Sequence, residues 1–293
     1  MNPSPKKIKE IELLANDVRE SIISMLLEAG SGHTAGPLGM ADIFATFYSN
    51  VVKHDPKNPT WPERGRVVLS NGHICPVLYA TMAHVGYFPV EELKTLRKFG
   101  SRLQGHPHRD FLPMLENSSG PLGSGMSQAV GMALADRIDG AGHQAGKSIG
   151  RRIYCFASDG EHDEGNTWEA ILLAGKEKLN NLVVVVDRNN IQIDGYTEDV
   201  MPLEPFVNKY ITFGWHVIEI DGHDVAEVFR AFETAQAVFE KPTVIVAHTI
   251  PGKGVAEFER KYEWHGKPPN KAEADMALRE LRTLGGKIKS EHQ

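Results

Sequence analysis

An acid and an amide, two residue types that can bind a metal ion, stand just after two apolar runs of the sequence. Asp159 follows the run 153–157, and Asn189 follows the run 182–186. The segment between the runs reads as a helix, so residues 153–195 are predicted to form a strand–helix–strand unit. Both strand ends of a parallel unit face one edge of the sheet, where open α/β sheets bind ligands. Oxygen atoms of these types suit Mg²⁺ or Ca²⁺ better than zinc.

A structural explanation also exists for both residues. An aspartate or asparagine after a strand can cap a helix or form an Asx turn. For Asp159 or Asn189 alone, that local role suffices. Their matched placement after two successive strands is the observation that favours a metal site.

The chain contains 13 histidines, and some of them fall in glycine- or proline-flanked loops: His33, His73, His106 and His265. A lone histidine is more often a surface or core residue than a catalytic one. Neutral loop histidines can nevertheless line a polar pocket, bind hydroxyl groups and move protons near pH 7. Zinc-finger spacing, HExxH and G-x-S-x-G are all absent, so neither a zinc site nor a serine hydrolase is indicated.

A glycine-rich stretch, Gly120–Gly125, precedes a predicted helix at 126–138. Such a turn presents backbone N–H groups at the positive end of the helix dipole, which suits phosphate, although an ordinary helix start is the alternative. The standard nucleotide motifs fail. Residues 142–148 are one residue short of a P-loop and follow no strand, and Gln128 stands where a dinucleotide motif needs its third glycine.

Helical and strand patterns alternate along the chain. Helices are predicted at 8–29, 40–50, 77–85, 90–99, 126–138, 225–239 and 272–284, and between the two central runs. Strands are predicted at 67–69, 153–157, 182–186, 215–220 and 243–247, whereas 33–39 and 201–210 are predicted to be irregular. This alternation predicts an α/β fold of three layers, with helices on both faces of a mostly parallel sheet. We expect one domain over residues 1–293, with flexible ends at 1–9 and 286–293.

Composition limits the class of protein. The length of 293 residues suits one large or two small domains, and a net charge of −6 argues against nucleic-acid binding. No run of about 18 apolar residues is present, so no transmembrane helix is expected. The polar N-terminus lacks the apolar core of a signal peptide. The two cysteines, Cys75 and Cys155, fit a cytoplasmic protein.

The stretch Ser158-Asp159-Gly160, with Asn189 one strand later, resembles the thiamine-diphosphate signature, G-D-G followed by N. The surrounding sequence is similar to transketolases. Further blocks match in the family's order: Ser31-Gly32-His33 with Pro37-Leu38-Gly39-Met40-Ala41, Leu69-Ser70-Asn71-Gly72-His73, Gly105-His106-Pro107, Gly120-Pro121-Leu122-Gly123, and Gly214-Trp215-His216-Val217 through Asp221-Gly222-His223-Asp224. The resemblance implies the thiamine-diphosphate-binding fold, with thiamine diphosphate and Mg²⁺ (or Ca²⁺) as cofactors.

The resemblance also implies roles for individual residues. Metal ligands would be Asp159, Asn189 and the backbone carbonyl of Ile191. Cofactor contacts would come from His73, Gly120, Pro121, Leu122, Gly160, Glu161, Asn189 and His265. The catalytic set would be His33, His73, His106, His265 and Glu164. Within it, His33 and His106 would bind sugar hydroxyls, and Glu164 would be a buried acid at the interface between protomers.

Two departures from the family pattern matter. Ser158 replaces the usual first glycine of the signature. The pyrimidine-binding domain, with the glutamate that activates the cofactor, has no counterpart in this sequence. We therefore expect the N-terminal subunit of a two-chain transketolase of the pentose phosphate pathway. It would pair with a C-terminal subunit, and it would homodimerise within an α₂β₂ heterotetramer.

The expected reaction is transfer of a two-carbon ketol unit from a ketose phosphate to an aldose phosphate. One alternative is a related subunit for an unusual or branched sugar phosphate. Another is a cofactor-binding module without catalysis, because fold alone does not establish function. Nucleic-acid and membrane partners are not expected.

Overall fold

A computed structural model describes residues 3–140 and 151–284. The helices are α1 (Pro5–Ala29), α2 (Ala35–Gly39), α3 (Ala41–Asn50), α4 (Cys75–His84), α5 (Ser124–Ile138), α6 (Gly165–Glu177), α7 (Thr197–Val200), α8 (Phe206–Thr212), α9 (Val225–Ala237) and α10 (Lys271–Leu284). The strands are β1 (Arg66–Leu69), β2 (Ile153–Ser158), β3 (Leu182–Arg188), β4 (Ile191–Gln192), β5 (Gly195–Tyr196), β6 (His216–Asp221) and β7 (Thr243–His248).

The main sheet has five strands in the order β1-β2-β3-β7-β6, and every neighbouring pair is parallel. Strands β2, β3 and β7 are buried along almost their whole length, and β3 and β7 are rich in valine, as expected for strands that are covered on both faces. A small antiparallel pair, β4 and β5, follows β3 at its carboxyl end. The predicted parallel α/β sheet is confirmed.

Alternate residues of each strand enter two separate cores. In β2, Tyr154 and Phe156 pack with α1, α3, α4 and α9, whereas Cys155 and Ala157 pack with α5, α6 and α8 on the opposite face. Helix α10 lies against α1 and contributes Ala274 and Leu281 to the first core. Helices therefore cover both faces of the sheet, and the expected three layers are present.

Helix α1 begins earlier than the apolar spacing predicts. The Ser4 hydroxyl accepts a hydrogen bond from the backbone N–H of Lys7 at 3.2 Å, and Pro5 occupies the first helical position. Residues 5–9 of the expected flexible end are therefore its first turns. Gly30, with φ of 60°, ends the helix in the left-handed conformation.

The predicted irregular regions contain short helices whose stability depends on tertiary contacts. In α2, Gly39 packs so closely on the Ile250 carbonyl oxygen that a Cβ would lie 3.0 Å from it. In α8, Phe206 and Tyr210 are buried one turn apart, a spacing that the sequence reading missed. The predicted helix 90–99 is only a 3₁₀ turn, Val90–Thr95.

Some expectations concern segments beyond the described ranges. The incomplete P-loop at 142–148 and the expected flexible end at 286–293 both lie outside the described residues. Within the described ranges, no helix combines the length and the apolar character that a membrane crossing needs.

Candidate active site

The carboxyl ends of β2 and β3 lie side by side and bring the predicted metal ligands to one edge of the sheet. Ser158 is in register with Asp187, and the backbone N–H of Asp159 donates to the Asp187 carbonyl at 3.1 Å. One Asp159 carboxylate oxygen accepts from the backbone N–H of Asn190 at 2.6 Å. The turn that carries Asn189 is thus attached directly to the Asp159 side chain.

Asp159 is a fully buried carboxylate that pairs with the guanidinium of Arg188. Burial raises the pKa of Asp159 to about 6, although the Arg188 guanidinium opposes the rise. Its Oδ1 atom accepts from the Gly160 N–H at 2.8 Å, and its Oδ2 atom lies 3.3 Å from Arg188 Nη1. A divalent cation beside this oxygen pair would favour the ionised carboxylate.

The Asn189 side chain is oriented by its neighbours. Its amide nitrogen donates to the Asp187 carboxylate at 2.8 Å, and its amide oxygen accepts from the Ile191 N–H at 3.0 Å. Asn190 has a φ of 61°, so the turn reverses tightly before Ile191. Burial raises the pKa of Asp187 to about 7, and the Thr249 hydroxyl donates to the same carboxylate.

The donor set at this edge fits a hard cation. It combines a carboxylate, an amide oxygen and a backbone carbonyl, which are ligands typical of Mg²⁺ and Ca²⁺. Across residues 3–140 and 151–284, no group of three His, Cys, Asp or Glu side chains is arranged to hold a metal ion. An ion at this edge would therefore need the amide and carbonyl oxygens as well as Asp159.

Sequence reasoning missed Arg188, a buried cation at the same edge. Besides Asp159, it pairs with Glu198 at 2.7 Å and Glu204 at 2.8 Å. Its guanidinium also lies over the Phe206 ring, 5.4 Å from the centroid. Arg188 thereby joins the carboxyl end of β2, through Asp159, to the segment before α8.

Glu161 lies at the centre of three loops. One carboxylate oxygen accepts from the Ser70 hydroxyl and from the Gly123 N–H at 2.6 Å, and the other accepts from the Ser158 N–H at 3.2 Å. Ser70 also accepts from the Met126 N–H at 3.1 Å. Both Glu161 oxygens are used inside the chain, and its predicted cofactor contact stays a prediction.

This carboxylate changes the interpretation of the Gly120–Gly125 stretch. The Gly123 N–H at the start of α5 is already bonded to Glu161, so it is not offered to a phosphate. Gly123 has a φ of 76°, and a Cβ there would lie 1.9 Å from Asn166 Oδ1. Gly120 faces open space, and Pro121 is exposed, so the free side of this loop is the side of Gly120 and Pro121.

The four loop histidines converge. The His33 ring centroid lies 5.0 Å from that of His73, 5.4 Å from that of His265 and 6.4 Å from that of His106, and the His73 and His265 centroids are 5.0 Å apart. The cluster is assembled from four separate loops, and each ring is half-buried. At these distances the rings are in mutual contact, and together they form one polar surface that a small molecule can contact.

Burial keeps the imidazoles of this cluster neutral near pH 7. It lowers the pKa of His33 and of His265 to about 4, and it holds the pKa of His73 well below its ordinary value. The pKa of His106 is also lowered, first by burial and then by the positive charge of Arg97. Each neutral imidazole offers one hydrogen-bond donor and one acceptor, so the cluster can both donate to hydroxyl groups and accept from them.

Comparison with known proteins decides the family. Residues 10–286 match the family described as transketolase, thiamine diphosphate binding domain. The chain belongs to the transketolase family. It is 40% identical over 276 residues to the 6-deoxy-6-sulfo-D-fructose transketolase subunit SqwG of Clostridium sp. (strain MSTE9), and the match covers 94% of this chain and 98% of that protein.

Two further transketolase relatives differ in length. The chain is 33% identical over 286 residues to an apulose-4-phosphate transketolase subunit of Phocaeicola vulgatus, covering 98% of this chain and 99% of that one. The crystal structure of transketolase from Campylobacter jejuni is similar with a TM-score of 0.85 at 33% identity, covering 96% of this chain but 45% of that chain. The expected thiamine-diphosphate-binding fold is confirmed.

In this member of the transketolase family, Glu164 is an exposed residue of the single chain. It precedes α6 at the helix start. The same helix exposes Leu172 and Leu173, at 53% and 42% of their surface. The role of Glu164 as an acid buried between protomers stays a prediction.

A second residue that sequence reasoning missed is Asn71, inside the transketolase block Leu69–His73. Its side chain is buried, and neither amide atom has a hydrogen-bond partner in the described part of the chain. Its neighbour Ser70 contacts Glu161, and His73 belongs to the histidine cluster. The signal was available, because an asparagine within a family motif could have been singled out as a ligand contact.

Proposed function

We propose that this chain is the diphosphate-binding subunit of a two-chain transketolase. With thiamine diphosphate and a divalent metal, Mg²⁺ or Ca²⁺, it would transfer a two-carbon ketol unit from a ketose phosphate to an aldose phosphate. The observation that carries the proposal is the convergence of four neutral histidines, His33, His73, His106 and His265, in a chain of this family. Such a cluster suits a substrate rich in hydroxyl groups.

The carboxyl ends of β2 and β3 would hold the diphosphate end of the cofactor. Asp159, Asn189 and the Ile191 carbonyl would bind the ion, and the backbone around Gly120–Leu122 and Gly160 would contact the phosphates. Thiamine diphosphate, when bound, supplies a nucleophilic thiazolium carbon that can carry the two-carbon unit. The buried Asp159 carboxylate fits this role because a neighbouring cation would relieve its cost of burial.

The histidines would orient the sugar and handle its protons. In the proposed arrangement, His33 and His106 bind hydroxyl groups, and His73 and His265 lie next to the reacting carbon. A neutral imidazole near a reacting hydroxyl can accept its proton at one ring nitrogen and return it later. Partial burial also excludes bulk water, which protects reactive species in such a site.

A partner chain would supply the remaining chemistry. Two relatives that match this chain over nearly their whole length are named as transketolase subunits, whereas this chain covers 45% of the Campylobacter jejuni transketolase. We assign the pyrimidine-binding domain and its activating carboxylate to a C-terminal subunit. Pairs of such heterodimers would form an α₂β₂ assembly, with Glu164 and the exposed leucines of α6 between copies of this chain. The two buried free cysteines suit a place in the cytoplasm.

A substrate other than a pentose phosphate pathway sugar is the second candidate. The relatives of matching length are named for 6-deoxy-6-sulfo-D-fructose and for apulose-4-phosphate. Their names favour an unusual ketose as the donor for this chain as well. The reaction type would be the same, since the histidines contact hydroxyl groups common to ketoses.

Ketol transfer should be measured with the purified chain alone, with the protein encoded beside it, and with both together. A panel of ketose phosphates and 6-deoxy-6-sulfo-D-fructose would serve as donors, with thiamine diphosphate and Mg²⁺ present. We expect activity only from the combined chains. Full activity from this chain alone would contradict the two-chain assignment. Cofactor binding by the reconstituted complex without turnover of any donor would instead support a non-catalytic module.

A further inference from the structure

The guanidinium of Arg97 lies between two glycines, and each glycine directly precedes a histidine of the cluster. A Cβ on Gly105, which precedes His106, would lie 2.6 Å from Arg97 Cζ. A Cβ on Gly32, which precedes His33, would lie 3.7 Å from Arg97 Nε. The side chain therefore fills the space between two loops that come from distant parts of the sequence.

The position of Arg97 is set by its backbone conformation and by two hydrogen bonds to the segment before His106. Its φ of 61° places it in the left-handed region, which is uncommon for a residue other than glycine and concentrates at functional sites. Its N–H donates to the Leu103 carbonyl at 2.9 Å, and its Nη2 atom donates to the Gly105 carbonyl at 3.3 Å. The arginine and the His106 loop are thus joined at two points.

Arg97 also differs from the neighbouring cations in its ion pairing. Lys98 pairs with Glu28, and Arg102 pairs with Glu92. In the part of the chain that the structure describes, no ion pair joins Arg97 to a carboxylate. Its positive charge is therefore uncompensated by a direct partner, and it acts on the nearby imidazoles.

The groups that face His106 are few. His33, His73 and His265 belong to the same cluster and are neutral near pH 7. On the other side of the loop, the Cys75 thiol donates to the Gly105 carbonyl at 3.2 Å and the Tyr79 hydroxyl donates to the Gln104 carbonyl at 3.0 Å. Burial raises the pKa of Cys75 to about 12 and raises that of Tyr79 as well, so both stay neutral. Arg97 is the charged group that acts on His106.

We propose that Arg97 is a positioning residue for His33 and His106: its planar guanidinium spaces their two loops, and its positive charge opposes, in addition to burial, a second positive charge on either imidazole. This role rests on the proposed function in one respect, namely that these imidazoles bind sugar hydroxyl groups. Arginine suits both tasks, because its guanidinium is flat, rigid and charged at every physiological pH. Lysine would keep the charge but not the flat surface between the glycines.

The test is a histidine titration by NMR in the full chain, compared among wild type, Arg97→Met, Arg97→Lys and the control Lys98→Met. A His106→Asn variant identifies the His106 resonance. We expect the pKa of His106 to rise in Arg97→Met, to stay close to that of wild type in Arg97→Lys, and to be unaffected in Lys98→Met. An unchanged pKa in a folded Arg97→Met protein would overturn the electrostatic part of the proposal.

Kinetics of the enzyme reconstituted with its partner test the geometric part. In both Arg97 variants, we expect the KM for the ketose donor to rise by about tenfold or more, because small displacements of positioning groups are costly. Only Arg97→Met should also shift the acid limb of the pH–rate profile to higher pH, because His106 would then gain its proton at a higher pH. A KM unchanged in both variants would overturn the spacing role. If Arg97→Met fails to fold, Arg97→Gln replaces it.

The two readouts separate this inference from the proposed function. The NMR titration needs neither turnover nor a partner chain, so it remains decisive even if no ketol transfer is found. Conversely, an active enzyme in which neither the His106 pKa nor the KM responds to the Arg97 variants would leave the proposed function intact and remove both parts of the role of Arg97.

Discussion

The carboxylate of Glu161 accepts a hydrogen bond from the backbone N–H of Gly123 at 2.6 Å, across 38 residues of sequence. The same carboxylate binds the Ser70 hydroxyl after β1 and the Ser158 N–H at the end of β2. It therefore links the loop before His73, the Gly120–Gly125 stretch and the strand before Asp159, the proposed metal ligand. This residue explains how separate motifs keep a common geometry.

Glu161→Gln should weaken cofactor binding more than any surface change in the same turn. The amide places an NH₂ group opposite N–H donors, which leaves a buried donor unpaired at a cost of about 1–3 kcal/mol. We expect roughly tenfold weaker thiamine diphosphate binding by calorimetry in the presence of Mg²⁺. Asp163→Asn, exposed in the same turn and bonded to Gln192, is the matched control. Equal affinities for the two variants would contradict the central role of Glu161.

Asp159→Asn should abolish metal-dependent cofactor binding while it preserves the shape of the side chain. The substitution removes the only carboxylate among the proposed ligands, and a hard divalent cation depends on anionic oxygen. Removal of metal by EDTA should have the same effect on the wild-type protein. Asp194→Asn, an exposed acid in the nearby hairpin, should bind the cofactor normally. Retention of Mg²⁺-dependent binding by Asp159→Asn would rule out the proposed ligand set.

The metal affinity should also fall as the pH is lowered. Because burial raises the pKa of Asp159 to about 6, protons compete with the ion below that pH. Titrations of Mg²⁺ in the presence of thiamine diphosphate at several pH values should show the affinity dropping through this range, with proton uptake when the metal is removed. An affinity that is constant from pH 7 to pH 5 would contradict the raised pKa.

The neutral histidines should make the free energy of unfolding depend on pH. For His33 the folded pKa is about 4 and the ordinary value is 6.5. A lowered histidine pKa means that stability is fully present above the unfolded value and is lost as the pH falls from 6.5 towards 4. The contribution is at most roughly 3 kcal/mol.

Comparison with His33→Asn isolates this contribution, because Asp159 and Asp187 titrate with the opposite sign in an overlapping range. Urea denaturation at pH values from 7 to 4 should show wild type losing more stability than the variant. His248→Asn, an exposed histidine beside Glu219, is the control and should follow wild type. Parallel curves for wild type and His33→Asn would contradict the prediction.

Asn71→Ala should separate stability from ligand binding. Its buried amide has no hydrogen-bond partner in the described part of the chain, so its removal should leave the free energy of unfolding unchanged or higher. If a ligand satisfies this amide, the affinity for cofactor or sugar should fall in the same variant. Calorimetry and urea denaturation measure the two effects.

Asn117→Ala is the matched control for Asn71. The Asn117 amide is bonded to both the N–H and the carbonyl of Leu69, so its loss should cost about 1–3 kcal/mol of stability. A large loss of stability in Asn71→Ala, with normal ligand affinity, would show that Asn71 is only a core residue.

Much of the fold could be predicted from local patterns. The apolar runs at 153–157 and 182–186 lie in β2 and β3, which extend one and two residues further, respectively. These strands could be predicted because a strand that is covered on both faces consists mainly of apolar residues. Short helices were not predictable in this way. In α8, Phe206 and Tyr210 pack on His162 and Trp168, contacts that local sequence does not contain.

By itself, the sequence determined the order of the elements, the residue types available for chemistry and the two strand ends that had to meet. Hydrophobic periodicity and turn residues act over a few positions, so they can be read along the chain. Only the tertiary structure decided that Glu161 bonds Gly123 and that Arg188 pairs with Asp159. It also brings the ring centroids of the other three histidines within 6.4 Å of that of His33. Burial, hydrogen bonding and charge act through space, and their partners here lie tens to hundreds of residues apart.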